Sequence, residues 1–242
     1  TTPFGVPPFD QIKFEHYKPA LLQGMEEGRK EIEAIVNNPE EPTFENTILA
    51  YDNAGQMLAQ TELIFGMLCA AETNERMQAL QEQVMPLLSA HRDKIRLDEK
   101  LFARVKDVYD RRASLGLDAE QSRLLRKTYD AFVRSGALLD AGQKARLKEI
   151  NGELSLTAVK FGNNILAENN NFALELTADD LEGLPSGVRD AAREKAQAMG
   201  KGDKWVFTLH KPSLIPFLTY SAKRDLREKI YKAYLNLSLI HI

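Results

Sequence analysis

Apolar residues recur at spacings of three and four along most of the chain, the pattern of helices with one buried face. Leu21, Met25, Gly28, Ile32 and Ile35 predict a helix over about 17–37. It ends at Asn38-Pro-Glu-Glu-Pro42, where two prolines remove backbone donors and restrict the residues before them. Thr43 opens a second helix, its hydroxyl capping the first turn and Glu45 lying near the positive end of the dipole. Phe44, Ile48, Tyr51, Gly55, Leu58 and Phe65 predict that this helix runs on without a break. A third is expected over about 74–93, with Pro86 either kinking it or opening a fresh segment.

Asp98 opens a short helix with Leu101, Val105 and Val108 inward. Asp118 with Gln121, and Asp140 with Gln143, have capping-box spacing, Asp standing in for Ser or Thr. The first box leads into Leu125, Tyr129, Phe132 and Val133. The second leads into Leu147, Ile150, Leu154, Ala158, Phe161 and Ile165, a helix of about seven turns. After Asn169 the period changes to two: Phe172-Ala-Leu-Glu-Leu176 and Trp205-Val-Phe-Thr-Leu209 alternate as half-buried strands do. A helical turn at Thr177-Ala-Asp-Asp180 and a small helix over about 187–199 lie between them. Leu226, Ile230, Ala233 and Tyr234 define one face of a last helix that begins near Ala222. The fold class is therefore mainly α: a multi-helix array with a small two-stranded antiparallel ribbon near 172–176 and 205–209.

Composition narrows the function classes. Hydrophobic content of 43% with 28% charged residues is that of a globular chain. The longest apolar run, Leu63 to Ala71, is far short of the roughly 18 residues that span a bilayer and is read as a buried helix turn. A net charge of −3, with basic residues spread among acidic ones, gives no electrostatic footprint for nucleic acid. Cys69 is the sole cysteine, so no intrachain disulfide can form. Its neighbours Met67, Leu68, Ala70 and Ala71 describe an inert buried thiol rather than a nucleophile.

Candidate chemistry is sparse. His16, His91 and His210 are more than seventy residues apart, and none has a second ligand at i+4 as a helical zinc site requires. His241 belongs to the last six residues, Leu237 to Ile242. These match the translation of a sequencing adaptor, are set aside as a scar, and alone create the sequon Asn236-Leu-Ser238. Glu26, Glu27, Glu31 and Glu33, and the pair Asp179-Asp180, fit a solvated helix face and a helix cap better than an acid/base pair. Met57, Met67, Met77 and Met85 are expected in the core, and Trp205 as a core anchor. Gly183-Leu-Pro-Ser-Gly187 is a turn between helices, not a nucleophile elbow. No catalytic or metal residue is assigned within the chain.

Order and spacing over the whole length carry more. Thr2-Pro-Phe-Gly-Val-Pro-Pro-Phe-Asp-Gln-Ile-Lys-Phe-Glu-His-Tyr-Lys-Pro-Ala20, followed by Asn37-Asn-Pro-Glu-Glu-Pro-Thr-Phe-Glu-Asn-Thr47, resembles the N-terminal region of the thimet-oligopeptidase-like zinc metallopeptidases. Within them it is most similar to the bacterial peptidyl-dipeptidases. Leu97 to Tyr109, Lys204 to Leu209 and Leu218 to Tyr234 fit the same family. The resemblance implies that residues 1–236 are the N-terminal helical half of a longer, monomeric, bacterial enzyme of the cytoplasm or periplasm. That enzyme would take short unfolded peptides into a channel between two halves and release C-terminal dipeptides. It implies a zinc ion whose His-Glu-x-x-His ligands lie in the other half, so this chain alone would form a channel wall and be inactive. An oligopeptidase A-like endopeptidase and a non-catalytic helical scaffold are the alternatives. Helices that should meet the other half are expected to leave apolar faces open.

Overall fold

A computed structural model describes residues 3–237, and the chain divides into two compact units, Thr1–Thr157 and Ala158–Ile242. In the first, α1 (Phe14–Val36) starts three residues earlier than its apolar stripe predicts, because His16 caps it through the Lys13 N–H at 3.2 Å. A π-helical segment, Phe44–Leu49, runs into α2 (Ala50–Asn53), and α3 (Gln56–Ala71) and α4 (Glu75–Arg96) follow. Next come α5 (Glu99–Asp110) and α6 (Ala119–Arg134). Helix α7 (Ala141–Asn171) begins in the first unit and ends in the second. Pro86 sits inside α4 without ending it.

The caps read at Thr43, Asp98, Asp118 and Asp140 form as hydrogen bonds, and Asn74 caps α4 as well. Thr43 Oγ1 accepts from the Asn46 N–H at 3.0 Å, Asn74 from Met77 at 3.1 Å and Asp98 from Leu101 at 2.8 Å. Asp118 and Asp140 each accept from a Gln N–H at 2.8 Å, and each Gln side chain returns the bond at 3.2 Å. The first unit has two apolar clusters. Ile32, Ile48, Leu101, Val105, Leu125 and Phe132 build one, and Tyr17, Leu21, Leu58, Phe65, Val84 and Leu88 the other.

One expectation fails at Gly55. The helix opened at Thr43 is not continuous: Ala54 is extended and Gly55 takes φ +75°, a left-handed conformation that glycine adopts without strain. The break lets the chain pass close to α1. A Cβ on Gly28 would meet Gly55 Cα at 3.5 Å, and a Cβ on Gly24 would meet Leu58 Cα at 2.9 Å. Glu31 Oε2 accepts the Gly55 N–H at 2.6 Å. A small residue that keeps the helical phase looks identical in sequence whether it continues a stripe or ends one. The run Leu63 to Ala71 is likewise not a buried turn but the second half of α3, with Leu63 and Met67 exposed and Cys69 half-buried.

In the second unit, β1 (Leu174–Leu176) pairs antiparallel with β2 (Trp205–Phe207), Leu174 opposite Phe207 and Leu176 opposite Trp205. Both strands are shorter than the alternation suggests. Helix α8 (Ser186–Ala198) packs on β2, and α9 (Lys211–Tyr220) and α10 (Arg224–Leu235) complete the unit. Helix α9 has no counterpart in the apolar pattern. Pro212 sits in its first turn, where its missing N–H costs nothing, and Pro216 is carried inside. Leu176, Phe207, Phe217 and Ile230 form the core, with Phe207 and Phe217 ring centroids 4.5 Å apart. Trp205 is half-buried, with the Arg193 guanidinium 4.9 Å from its ring centroid, so it closes the edge of the core rather than anchoring its centre. Of the last six residues, only Leu237 lies within the described residues; His241 and the sequon's Ser238 lie outside them.

Candidate functional site

The three described histidines occupy separate places. His16 caps α1. His91 is half-buried beside Gly28, and burial pushes its pKa down. His210 is the N-cap residue of α9, its Nδ1 3.3 Å from Thr208 Oγ1. Among the described residues no group of three or more His, Cys, Asp or Glu side chains is placed to hold a metal ion.

Glu26 and Glu33 are ion-paired, Glu27 and Glu31 are hydrogen-bonded, and Asp180 caps a helical turn. Arg29 donates to Glu26 at 2.6 Å and also reaches Glu33, which gives a surface ladder along α1. Those bonds hold the Glu26 carboxyl below its ordinary range, the opposite of what a general acid needs. Glu27 accepts from Gln23 at 2.9 Å, and Glu31 serves Gly55. Asp180 accepts from the Thr177 N–H at 2.9 Å and hydroxyl at 2.8 Å, which lowers its pKa. Burial raises the pKa of the Cys69 thiol, so it stays protonated and unreactive. Of the methionines, Met77 is core, Met57 and Met85 are half-buried, and Met67 is exposed.

The concave surfaces lie inside single units. A groove of about 610 Å³ runs between α1 and α4, floored by Met25, Ile32, Ala90 and Ile95, with Leu22 and Leu87 exposed on its walls. Neither leucine belongs to a buried stripe, and that off-phase position is the signal in sequence that would have found the groove. A second, of about 490 Å³, lies between α8 and the start of α9 over the buried Val206, Phe207 and Thr208. Lys195 and His210 flank it, while Ser213 Oγ accepts the Thr208 N–H at 3.0 Å. Each is an apolar trough with charge at its edge. Such a surface can seat a chain or a helix; His91 lines the first, His210 and Ser213 line the second, and the Ser213 hydroxyl is engaged by the Thr208 N–H.

No family model matches the chain. Individual proteins do. It is 38% identical over 234 residues to dipeptidyl carboxypeptidase of Escherichia coli, covering 96% of this chain and 34% of that protein. Oligopeptidase A of Escherichia coli is 27% identical with the same coverage. Thimet-like oligopeptidase of Dictyostelium discoideum is 25% identical over 220 residues, 89% of this chain and 32% of its own length. The chain thus spans about a third of the length of the relatives it matches, and those relatives are peptidases. The family resemblance read from Thr2 to Ala20 and from Asn37 to Thr47 is borne out: over 96% of its length this chain is similar to an N-terminal part of dipeptidyl carboxypeptidase and oligopeptidase A.

Proposed function

We propose that the longer protein is a zinc-dependent peptidyl-dipeptidase that removes dipeptides from the C-termini of short, unfolded peptides. The observation that supports this reading is the 38% identity to a dipeptidyl carboxypeptidase across 96% of the chain, against 27% to an oligopeptidase A. In this reading the zinc ion and its ligands belong to the remainder of the protein, and no chemical step passes through residues 3–237. The contribution of this chain is steric. Its packed helices wall one side of a channel, admit an extended peptide and exclude a folded domain by size.

The test is to clone the complete gene and assay the whole enzyme on N-terminally blocked peptides of five to ten residues. Mass spectrometry should find C-terminal dipeptides as the first products, and a chelator should abolish their release. Internal cleavage as the first event would replace this reading with an oligopeptidase A-like endopeptidase. A gene that closes near residue 236 without a His-Glu-x-x-His motif would replace it with a helical scaffold. The isolated chain should neither hydrolyse these peptides nor retain stoichiometric zinc.

A further inference from the structure

Among the described residues, Lys144 is the only charged side chain that is buried. Its side chain is 10% exposed, yet its ammonium has a single acid partner, Glu99, 2.9 Å away and itself 77% exposed. A buried ammonium loses hydration that one solvent-washed carboxylate replaces only in part. Lys144 stands in the wall of a cleft of about 740 Å³, formed by the ends of α1 and α4 and the starts of α5 and α7. The cleft lies wholly within the first unit.

Three more ammonium groups line it: Lys94, Lys100 and Lys148. None of the three has an acid partner among the described residues. The acids of the lining are already engaged. Arg29 holds Glu33, Asp98 caps α5 by accepting the Leu101 N–H at 2.8 Å, and Glu99 takes Lys144. Lys94 and Lys148 also line an adjoining hollow of about 170 Å³, where Asp93 accepts from Asn151 at 2.8 Å. Asp93 and Asp98 are held by uncharged donors and keep their charge, so the local excess is small for a monovalent ion. It becomes large only for a ligand that meets several ammonium groups at once. The lining has no arginine, whose fork matches a planar carboxylate; ammonium groups act as point charges and suit phosphate.

We propose that this cleft binds a small anion carrying several phosphate groups, with Lys144 as its fixed point and the Glu99 carboxylate as the group it displaces. The proposal goes beyond the peptidyl-dipeptidase reading and does not rest on it. The probe is sodium tripolyphosphate, titrated into the chain by calorimetry in metal-free buffer. One molecule should bind per chain, more weakly as salt is raised. Lys94 and Lys148 are exposed, so the double variant Lys94→Gln, Lys148→Gln should keep its circular dichroism and melting temperature. It should bind the probe about tenfold more weakly. Glu99→Gln should bind it about threefold more tightly, because the competing carboxylate is gone. An ion pair that only ties α7 to α5 predicts no such gain.

A wild-type chain that binds no tripolyphosphate overturns the proposal, as does equal affinity in the double variant. So does a Glu99→Gln chain that binds no more tightly than wild type. Binding of several equivalents that no variant alters is adventitious and has the same consequence. If a tri-glutamate peptide binds as tightly as tripolyphosphate, the cleft is a seat for acidic peptides and the phosphate assignment falls. None of these outcomes bears on which products the complete enzyme releases, so the two readings fail separately.

Discussion

At the scale of single residues, the tightest constraint is Gly183. Its φ is +84°, and a Cβ there would stand 2.3 Å from the Tyr220 carbonyl oxygen and 3.0 Å from the Ala222 nitrogen. Next to it, the Glu182 carbonyl accepts the Ala222 N–H at 2.9 Å, so this turn is clasped to the junction of α9 and α10. Gly183→Ala therefore combines backbone strain with a clash against main chain, which cannot rotate away. It should cost about 2–4 kcal/mol, read from chemical denaturation of the second unit. Glu175 on β1 makes a milder claim. Hydrogen bonds from Lys201 and then Lys204 hold its carboxyl down to about 2. A depressed folded-state pKa means stability present above the unfolded value near 4.5 and lost as pH falls toward 2. Glu175→Gln should thus narrow the stability difference between pH 5 and pH 2.5, by an amount that salt reduces because the group is at the surface. Thermal melts across that range at two salt concentrations check it. A variant whose acid limb matched wild type would show the two lysine bonds to be without effect.

Among elements, α5 does more than contribute Leu101, Val105 and Val108 to a core. Its Arg104 donates to the carbonyls of Asn38 at 2.9 Å and Glu40 at 3.3 Å, and Arg111 reaches Glu41 at 2.9 Å. The Pro39–Pro42 loop has few donors of its own, so its carbonyls are satisfied by arginines some sixty residues away in sequence. Arg104→Ala should cost about 2 kcal/mol, and Arg104→Lys should recover only part, because one ammonium cannot reproduce the fork. Equal stability of Arg104→Lys and wild type, in urea titrations, would contradict that. The same comparison separates what is legible in the sequence from what is not. The caps at Thr43, Asp98, Asp118 and Asp140 are readable because each is a contact within four residues. The break at Gly55, the arginine clamp and α9 are not, since each depends on a partner that local spacing does not name. Helix α7 shows the limit most sharply: its stripe is plain, but periodicity reports that a face is apolar, not what covers it. No site is legible for a related reason. The residues that could carry chemistry, His16, His91, His210 and Cys69, are held singly as a cap, a half-buried ring, a second cap position and a protonated thiol.

For the molecule as a whole, the division into Thr1–Thr157 and Ala158–Ile242 has a thermodynamic consequence. Each unit contains its own apolar clusters: Ile48, Leu101, Phe132 and their neighbours in the first, Leu176, Phe207 and Phe217 in the second. A unit with a separate core can unfold cooperatively by itself. Calorimetry of the chain should then show two transitions. Gly183→Ala should lower one of them, by roughly 10 °C or more given the size of the second unit, and leave the other in place. Arg104→Ala, which acts only in the first unit, should lower the other. The two substitutions serve as each other's control, because either could destabilise the protein without revealing how its parts are coupled. One transition displaced by both would mean that the units share their stability. Separate displacement would mean that the chain carries two foldable pieces, with α7 as the segment they have in common.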